Sequence, residues 1–163
     1  MKSAKEIFDF LPGRWRIDRS IVFPNNLQQN EIKIKGHGGF IISESDPNLI
    51  LYSEDVIMYL TSLQSLAARQ KYQYKYTNEE ASIAKYFSDG QLFYHLVTNA
   101  DSSWGGTYLC NKDQYLAKYI FESSSFTLTH FVRGPEKSYD ILTQYTREFS
   151  PPHFRSYSLL TPP

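Results

Sequence analysis

Arg19 is the residue whose type and position carry the most chemical information. On the segment 14–23 it has the same parity as Trp15 and Ile17, so a strand there would point all three side chains to one face. If that face is buried, a permanent cation lies inside the protein and needs a carboxylate or an anionic ligand beside it. Glu54 is a candidate partner, because it lies on another alternating segment.

Two interpretations of Arg19 stay open. In the first, Arg19 pairs with Glu54 or with tyrosines in an internal network that serves the fold. In the second, Arg19 acts with Tyr145 and Arg147 to hold the carboxylate or phosphate of a bound ligand, since charged donors bind such anions well. Tyr145 and Arg147 are two residues apart, so a strand would present both on one face.

Two of the four histidines lie on alternating segments and are candidates for acid–base chemistry. His95 has the same parity as Phe93 and Val97, and His130 also lies on an apolar segment, so either side chain could face the protein interior. Such a histidine could serve an isomerase or hydrolase, as Glu54 could. A single histidine on an apolar face is usually a core residue, so haem ligation is a minor alternative and we expect no cofactor. No histidine pair has the spacing of a metal site.

The thirteen tyrosines are too many for all of them to be buried without hydrogen-bond partners. A cavity lined by their rings and hydroxyl groups would accept an amphipathic or aromatic ligand, although the barrel exterior accounts for many of them. The candidate ligand-binding residues are therefore Arg19, Glu54, Tyr74, His95, Tyr119, Tyr145 and Arg147.

The sequence offers little support for nucleophilic catalysis. Cys110 is the only cysteine, which excludes an internal disulfide and a zinc site made of cysteines, and a small buried thiol is its simplest interpretation. No Gly-x-Ser-x-Gly motif is present. We therefore expect no catalytic residue, and we favour binding over catalysis.

The elements that must position these side chains are strands. Segments that alternate apolar and polar residues are separated by short turns, among which Asp89-Gly90 is a strong hairpin signal. The segment 60–66 is ambiguous between a loop and a helical turn, and the glycines of segment 36–39 predict a bulge or a sharp bend. The predicted strands cover residues 14–23, 31–45, 49–60, 69–76, 81–87, 91–97, 104–110, 114–122, 126–133 and 137–148.

About ten strands with short connections and no helix between them predict an all-β, antiparallel, up-and-down closed barrel. A two-sheet sandwich is the alternative, and it would usually need a longer crossover. Ser3–Phe10 predicts a short helix, capped by Ser3, that plugs one end of the barrel. We expect one barrel domain over residues 1–149 and a Pro-rich C-terminal tail over residues 150–163.

Gly13-Arg14-Trp15 at the start of the first strand and Arg147 at the end of the last resemble the calycin pattern of lipocalins, fatty-acid-binding proteins and nitrobindins. In that pattern a Gly-x-Trp opens the barrel, and a basic residue of the last strand packs across the tryptophan. The resemblance implies that Trp15 and Arg147 form a structural clasp. Fatty-acid-binding proteins hold a carboxylate with Arg-x-Tyr on the last strand, and Tyr145-x-Arg147 has the reverse order.

A longer set of residues, between Leu11 and Arg147, is similar to a small uncharacterised domain family of bacteria and fungi. No known activity comes with that resemblance. The set includes Cys110-x-x-Asp113-x-Tyr115, Tyr119-x-Phe121, Gly134-Pro135-x-Lys137-x-Tyr139 and Thr143-x-Tyr145-x-Arg147.

Closure of the barrel would pair the first strand with the last. Because residues of equal parity share a face, one register would place three inward pairs opposite each other. These pairs are Trp15–Arg147, Ile17–Tyr145 and Arg19–Thr143.

The charge balance argues against large anionic partners. The chain has 17 Lys and Arg residues and 17 Asp and Glu residues, so its formal net charge is zero. Neither nucleic acid nor a membrane surface is an expected partner. The first ten residues are not typical of a secretory signal, and no apolar stretch has the length of a membrane span, so we expect a cytoplasmic protein.

The sequence therefore predicts a small-molecule-binding barrel that holds an amphipathic or aromatic, anionic ligand. An enzyme on the same barrel is one alternative. A protein-interaction module with a solidly packed barrel, which would contact a protein partner or form a homodimer, is the other.

Overall fold

The computed structural model describes residues 2–26 and 28–149, and in this part of the chain the strands form one closed antiparallel barrel. Each strand pairs with the next one along the chain, and the last strand pairs with the first. The predicted all-β closed barrel is confirmed, and the segment 150–163 lies outside the described residues. The elements are α1 (Ala4–Phe10), β1 (Gly13–Val22), β2 (Ile32–Ile42), β3 (Leu49–Thr61), β4 (Gln64–Thr77), β5 (Ser82–Phe87), β6 (Leu92–Thr98), β7 (Trp104–Cys110), β8 (Asp113–Phe121), β9 (Ser125–Arg133) and β10 (Ser138–Glu148).

Helix α1 begins at a capping box and covers one end of the barrel. The Ser3 hydroxyl accepts a hydrogen bond from the Glu6 backbone N–H at 3.2 Å, and the Glu6 carboxylate accepts one from the Ser3 N–H at 2.6 Å. Ile7 and Phe8 are buried against the barrel. The Trp15 indole N–H donates to the Leu11 carbonyl at 2.9 Å, and this bond holds the connection between α1 and β1 in place.

The seam between β1 and β10 has the predicted register. Because the side chains of a strand alternate between its faces, this register brings the inward residues of both strands together. The observed partners are Trp15 and Arg147, Ile17 and Tyr145, and Arg19 and Thr143.

Two local predictions differ from the structure. The ambiguous segment 60–66 forms a tight hairpin, so β4 begins at Gln64. A bulge at the glycines of segment 36–39 is wrong, because β2 keeps its register with both neighbouring strands there. The register shifts lie elsewhere, between β3 and β4 and between β5 and β6.

The half of the barrel next to α1 is filled by aromatic side chains. The Phe126 ring stacks on Tyr145 with centroids 4.3 Å apart and meets Trp15 edge to face at 5.0 Å. Phe40 packs on Tyr52 at 4.5 Å. Within the described residues, no helix is long and apolar enough to cross a membrane.

Candidate functional site

A cavity of about 240 Å³ occupies the half of the barrel away from α1. Seven of its sixteen lining residues are apolar and nine are polar or charged. The apolar residues, called the rim here, are Ile21, Ile34, Val56, Met58, Ala68, Leu128 and Ile141. Seven of the polar residues, called the floor here, are Arg19, Glu54, Tyr72, Lys85, His130, Thr143 and Tyr145, and the other two, Arg69 and Gln70 of β4, are exposed.

The floor contains a bidentate ion pair between Arg19 and Glu54. The two terminal nitrogens of Arg19 donate to the two carboxylate oxygens of Glu54 at 2.7 and 2.8 Å, and its Nε donates to the Thr143 hydroxyl at 2.8 Å. The Arg19 side chain is 15% exposed and the Glu54 side chain 4%. Paired geometry of this kind compensates the cost of burying both charges.

The ion pair crosses β2, which lies between the strands of its two members. Glu54 is opposite Gly38, and the next inward position of β2 is Gly36. A Cβ atom at Gly38 would lie 3.0 Å from the Tyr52 hydroxyl, and one at Gly36 would lie 2.1 Å from the Asp55 carbonyl oxygen. Gly38 therefore leaves room for the side chains of Tyr52 and Ile17, and Gly36 allows the backbone of β3 to approach closely.

Both carboxylate oxygens of Glu54 accept hydrogen bonds. Besides Arg19, the Tyr52 hydroxyl donates to Glu54, and the Tyr145 hydroxyl lies 3.2 Å from that of Tyr52. Burial alone would raise the pKa of Glu54, but the hydrogen bonds and charge of Arg19 outweigh it and lower that pKa. Glu54 is therefore an ionised structural acceptor rather than a free base.

Lys85 supplies a second cation at the floor, and it has few partners. Its side chain is 2% exposed, and its ammonium lies 4.1 Å from the centroid of the Tyr72 ring. Its one hydrogen bond among the described residues is donated to the Tyr94 hydroxyl at 3.5 Å. Burial lowers the pKa of Lys85 to about 7, and the nearby Glu54 carboxylate opposes that shift.

The Tyr94 hydroxyl connects Lys85 to a chain of buried polar groups. It lies 3.2 Å from Nε2 of His130 and 2.5 Å from the Tyr119 hydroxyl, which in turn lies 3.2 Å from the Tyr74 hydroxyl. Burial, together with the charges of Lys85 and Arg19, lowers the pKa of His130 to about 3. His130 is therefore neutral at physiological pH.

The structure brings three of the seven predicted ligand-binding residues to the cavity, namely Arg19, Glu54 and Tyr145. Tyr74 and Tyr119 are buried in the core beside the floor, where their hydroxyl groups bind each other. They do not line the cavity.

Arg147 lies at the plugged end of the barrel, so it does not line the cavity as the sequence predicted. Its guanidinium stacks 4.2 Å from the centroid of the Trp15 indole ring and donates to the carbonyls of Phe10 and Pro12. These contacts hold the end of α1 on β1. The predicted clasp between Trp15 and Arg147 is present. Both terminal nitrogens of Arg147 donate to backbone carbonyls of the protein.

His95 is exposed on the outside of the barrel, so its predicted inward position is also wrong. Lys85 pairs with Tyr94, but the next residue of β5 pairs with Leu92, so Phe93 is an extra residue in β6. This bulge turns both Phe93 and Tyr94 inward and reverses the parity beyond them. The outward position excludes His95 as an internal base and as an internal haem ligand.

Lys85 is the residue of the floor that the sequence interpretation missed. Its parity with Ile83 and Phe87 on a predicted strand was a usable signal, because both neighbours are apolar. Because lysines are rarely fully buried, a sequence-based prediction places Lys85 on the protein surface. Among residues 2–26 and 28–149, no group of three His, Cys, Asp or Glu side chains is arranged to hold a metal ion.

Comparison with solved structures shows a similar fold in an S-type phycobiliprotein lyase from Guillardia theta. The TM-score is 0.69 at 11% sequence identity, and the match covers 92% of this chain and 95% of the lyase chain. At this identity the match concerns the fold alone. No curated protein sequence matches the chain.

A family model described as a family of unknown function, DUF6314, matches residues 11–147. This range begins where α1 ends and includes every strand of the barrel up to the clasp residue of β10. The expectation of an uncharacterised domain family is thus confirmed, and the chain belongs to the DUF6314 family.

Proposed function

We propose that this barrel is a small-molecule-binding protein that holds an amphipathic or aromatic, anionic ligand in the cavity. The observation that carries the proposal is the mixed lining of the cavity, in which the apolar side chains of the rim lie beside the buried hydrogen-bond donors of the floor. A ligand with an apolar body and a polar head would match both parts of the lining.

The cavity volume limits the size of the ligand. Pockets for drug-sized molecules usually have volumes of roughly 300–1,000 Å³. At about 240 Å³ the cavity is smaller, so the proposed ligand is a short-chain or single-ring compound. Such a compound would place its apolar body against Val56 of β3 and Ala68 of β4, which are neighbours on the inner face of the barrel.

Two titratable groups of the floor are held by internal partners. Glu54 is bound by Arg19 and Tyr52, and His130 contacts Tyr94, whereas Lys85 makes one long hydrogen bond. The fold shared with the phycobiliprotein lyase supports the barrel as a scaffold. At 11% identity, we carry no activity from that protein to this chain.

The experiment compares two substitutions at neighbouring positions of β4. Ala68 lines the cavity rim, whereas Ala67 faces the outside. We expect Ala68→Phe to fill the rim and to weaken binding of hexanoate or benzoate by about tenfold or more, and Ala67→Phe to leave it within about twofold. Isothermal titration calorimetry measures the affinities, and thermal unfolding checks that both variants fold.

Two results would contradict the proposal. One is equal binding by the two variants, which would place the ligand outside the cavity. The other is an absence of binding by the unsubstituted protein to every member of a panel of short aliphatic and aromatic carboxylates.

A further inference from the structure

We propose that the anionic head of the ligand is a carboxylate that binds Lys85, and that its binding is coupled to the uptake of a proton by this side chain. The inference rests on the proposed function of the cavity and deepens it by naming the chemical class and the receiving residue. It does not use Arg19, the cation that the sequence favoured for this task.

The donor groups of Arg19 already bind other residues of the protein. Its Nε and both terminal nitrogens donate to Thr143 and to Glu54. A ligand carboxylate there would compete with a bidentate partner that is fixed by the fold. Lys85, in contrast, has no ion-pair partner among the described residues, and its one hydrogen bond is long.

Aromatic rings form a cage around Lys85, which also lines the cavity. Its ammonium lies 4.1 Å from the ring centroid of Tyr72, 5.4 Å from those of Tyr74 and Phe93, and 5.6 Å from that of Tyr94. Rings accommodate a cation but accept no strong hydrogen bond from it. The remaining ammonium hydrogens are therefore available to an acceptor in the cavity.

The floor as a whole has more donors than free acceptors. Glu54 is the carboxylate of the floor, and its oxygens are occupied by Arg19 and Tyr52. When Lys85 is protonated, the floor therefore has one positive charge in excess. The charged and titratable groups near Lys85 are Arg19, Glu54, Tyr72, Tyr74, Tyr94 and His130. Arg69 also lines the cavity, but its side chain is exposed and pairs with Asp55 at 2.7 Å.

A carboxylate would change the protonation of Lys85 in a predictable direction. Burial holds the pKa of Lys85 at about 7, so the amine is partly neutral near physiological pH. A carboxylate beside it favours the charged form and raises that pKa, so the uptake on binding is about half a proton at pH 7 and approaches one proton at higher pH. The affinity is then nearly constant below about pH 6 and falls by up to about tenfold per pH unit well above pH 7, as far as the raised pKa of the complex.

The experiment measures binding of hexanoate and of the neutral 1-hexanol by calorimetry between pH 6 and pH 9. Buffers of different ionisation enthalpy report the proton uptake. The variants are Lys85→Met, which removes the buried charge, and Lys75→Met, which removes an exposed lysine of β4. Met fills the same space, and exchange of a buried charge for an apolar group is tolerated in many proteins. Lys85→Gln is the second variant if Lys85→Met does not fold.

We expect the unsubstituted protein and Lys75→Met to bind hexanoate with the same pH dependence and with uptake of up to one proton. Lys85→Met should bind it at least about tenfold more weakly at pH 6.5 and without pH dependence. Binding of 1-hexanol should not depend on pH in any variant.

The outcomes separate this inference from the proposed function. If hexanoate binds Lys85→Met as well as it binds the unsubstituted protein, or binds without proton uptake, Lys85 is not its receptor, although the cavity still binds ligands. If neither hexanoate nor 1-hexanol binds, both proposals fail. If hexanoate does not bind, but hexanal condenses with the Lys85 amine with loss of water to an imine that borohydride reduces to a stable secondary amine, the residue takes carbonyl compounds and the carboxylate assignment is wrong.

Discussion

Arg19 and Glu54 show how a single pair of residues defines the polar floor of the cavity. Burial alone would lower the pKa of Arg19, but its bond to Glu54 reverses this, and the same bond lowers the pKa of Glu54. Both groups are therefore ionised at physiological pH. Two opposite charges at 2.7 Å form a fixed dipolar floor, and the loss of one would leave the other buried and unpaired.

We expect Glu54→Met to lower the free energy of unfolding by about 3–5 kcal/mol, because it leaves the guanidinium of Arg19 without a partner. The double variant Arg19→Met with Glu54→Met should regain most of this loss, since an apolar pair needs no charge compensation. Urea unfolding of the two single variants and the double variant gives the coupling energy. Additive losses in the double variant would show that the two side chains do not depend on each other.

Alternation along single strands was enough to predict the inward position of some site residues. Arg19 shares its parity with Trp15, and Tyr145 follows from the register at the seam. The inward position of Lys85 could have been predicted in the same way, but lysine is rarely buried in a protein interior. Its aromatic cage combines side chains of β4, β5 and β6, and the sequence alone does not give their distances.

At the scale of elements, the bulge in β6 is the feature that a sequence pattern does not show. Phe93 is an extra residue in the pairing of β5 with β6, and two successive aromatic side chains therefore point inward. A strict alternation places His95 inside and Tyr94 outside, which is the reverse of the structure. The bulge thus places the Tyr94 hydroxyl between Lys85 and His130.

Arg147 connects the last strand to α1, and its loss should affect stability but not binding. We expect Arg147→Met to lower the free energy of unfolding by about 1–3 kcal/mol, through the lost stacking on Trp15 and the lost hydrogen bonds to Phe10 and Pro12. Affinity for hexanoate should stay within about twofold, because the clasp lies at the end opposite the cavity.

Arg14→Met is the matched control for the clasp. Arg14 is 73% exposed and pairs with Glu148 at 3.6 Å, so its loss should change the free energy of unfolding by less than about 0.5 kcal/mol. A weakened affinity for hexanoate in Arg147→Met, with a stability like that of Arg14→Met, would contradict the assignment of Arg147 to the clasp.

At the scale of the whole molecule, the barrel interior has two halves that differ in packing. The half beside α1 is packed with aromatic rings and stabilises the closure, whereas the other half keeps about 240 Å³ free. The closed topology and the β1–β10 seam could be predicted, because turn residues and alternation are read from short segments and Trp15 with Arg147 indicates which strands pair at closure. The division of the interior into a packed half and a half with a cavity could not be predicted, since it depends on how far each inward side chain extends into the interior.

The measurement that tests the cavity most directly is methyl NMR of the isoleucines during a titration with hexanoate. The rim contains Ile21, Ile34 and Ile141, whereas Ile57 and Ile120 are exposed on the outside. If the cavity is the binding site, the methyl signals of the three rim isoleucines shift in a saturable way and those of the two outer isoleucines do not. Unchanged rim signals, or shifts confined to the outer isoleucines, would contradict a ligand inside the barrel.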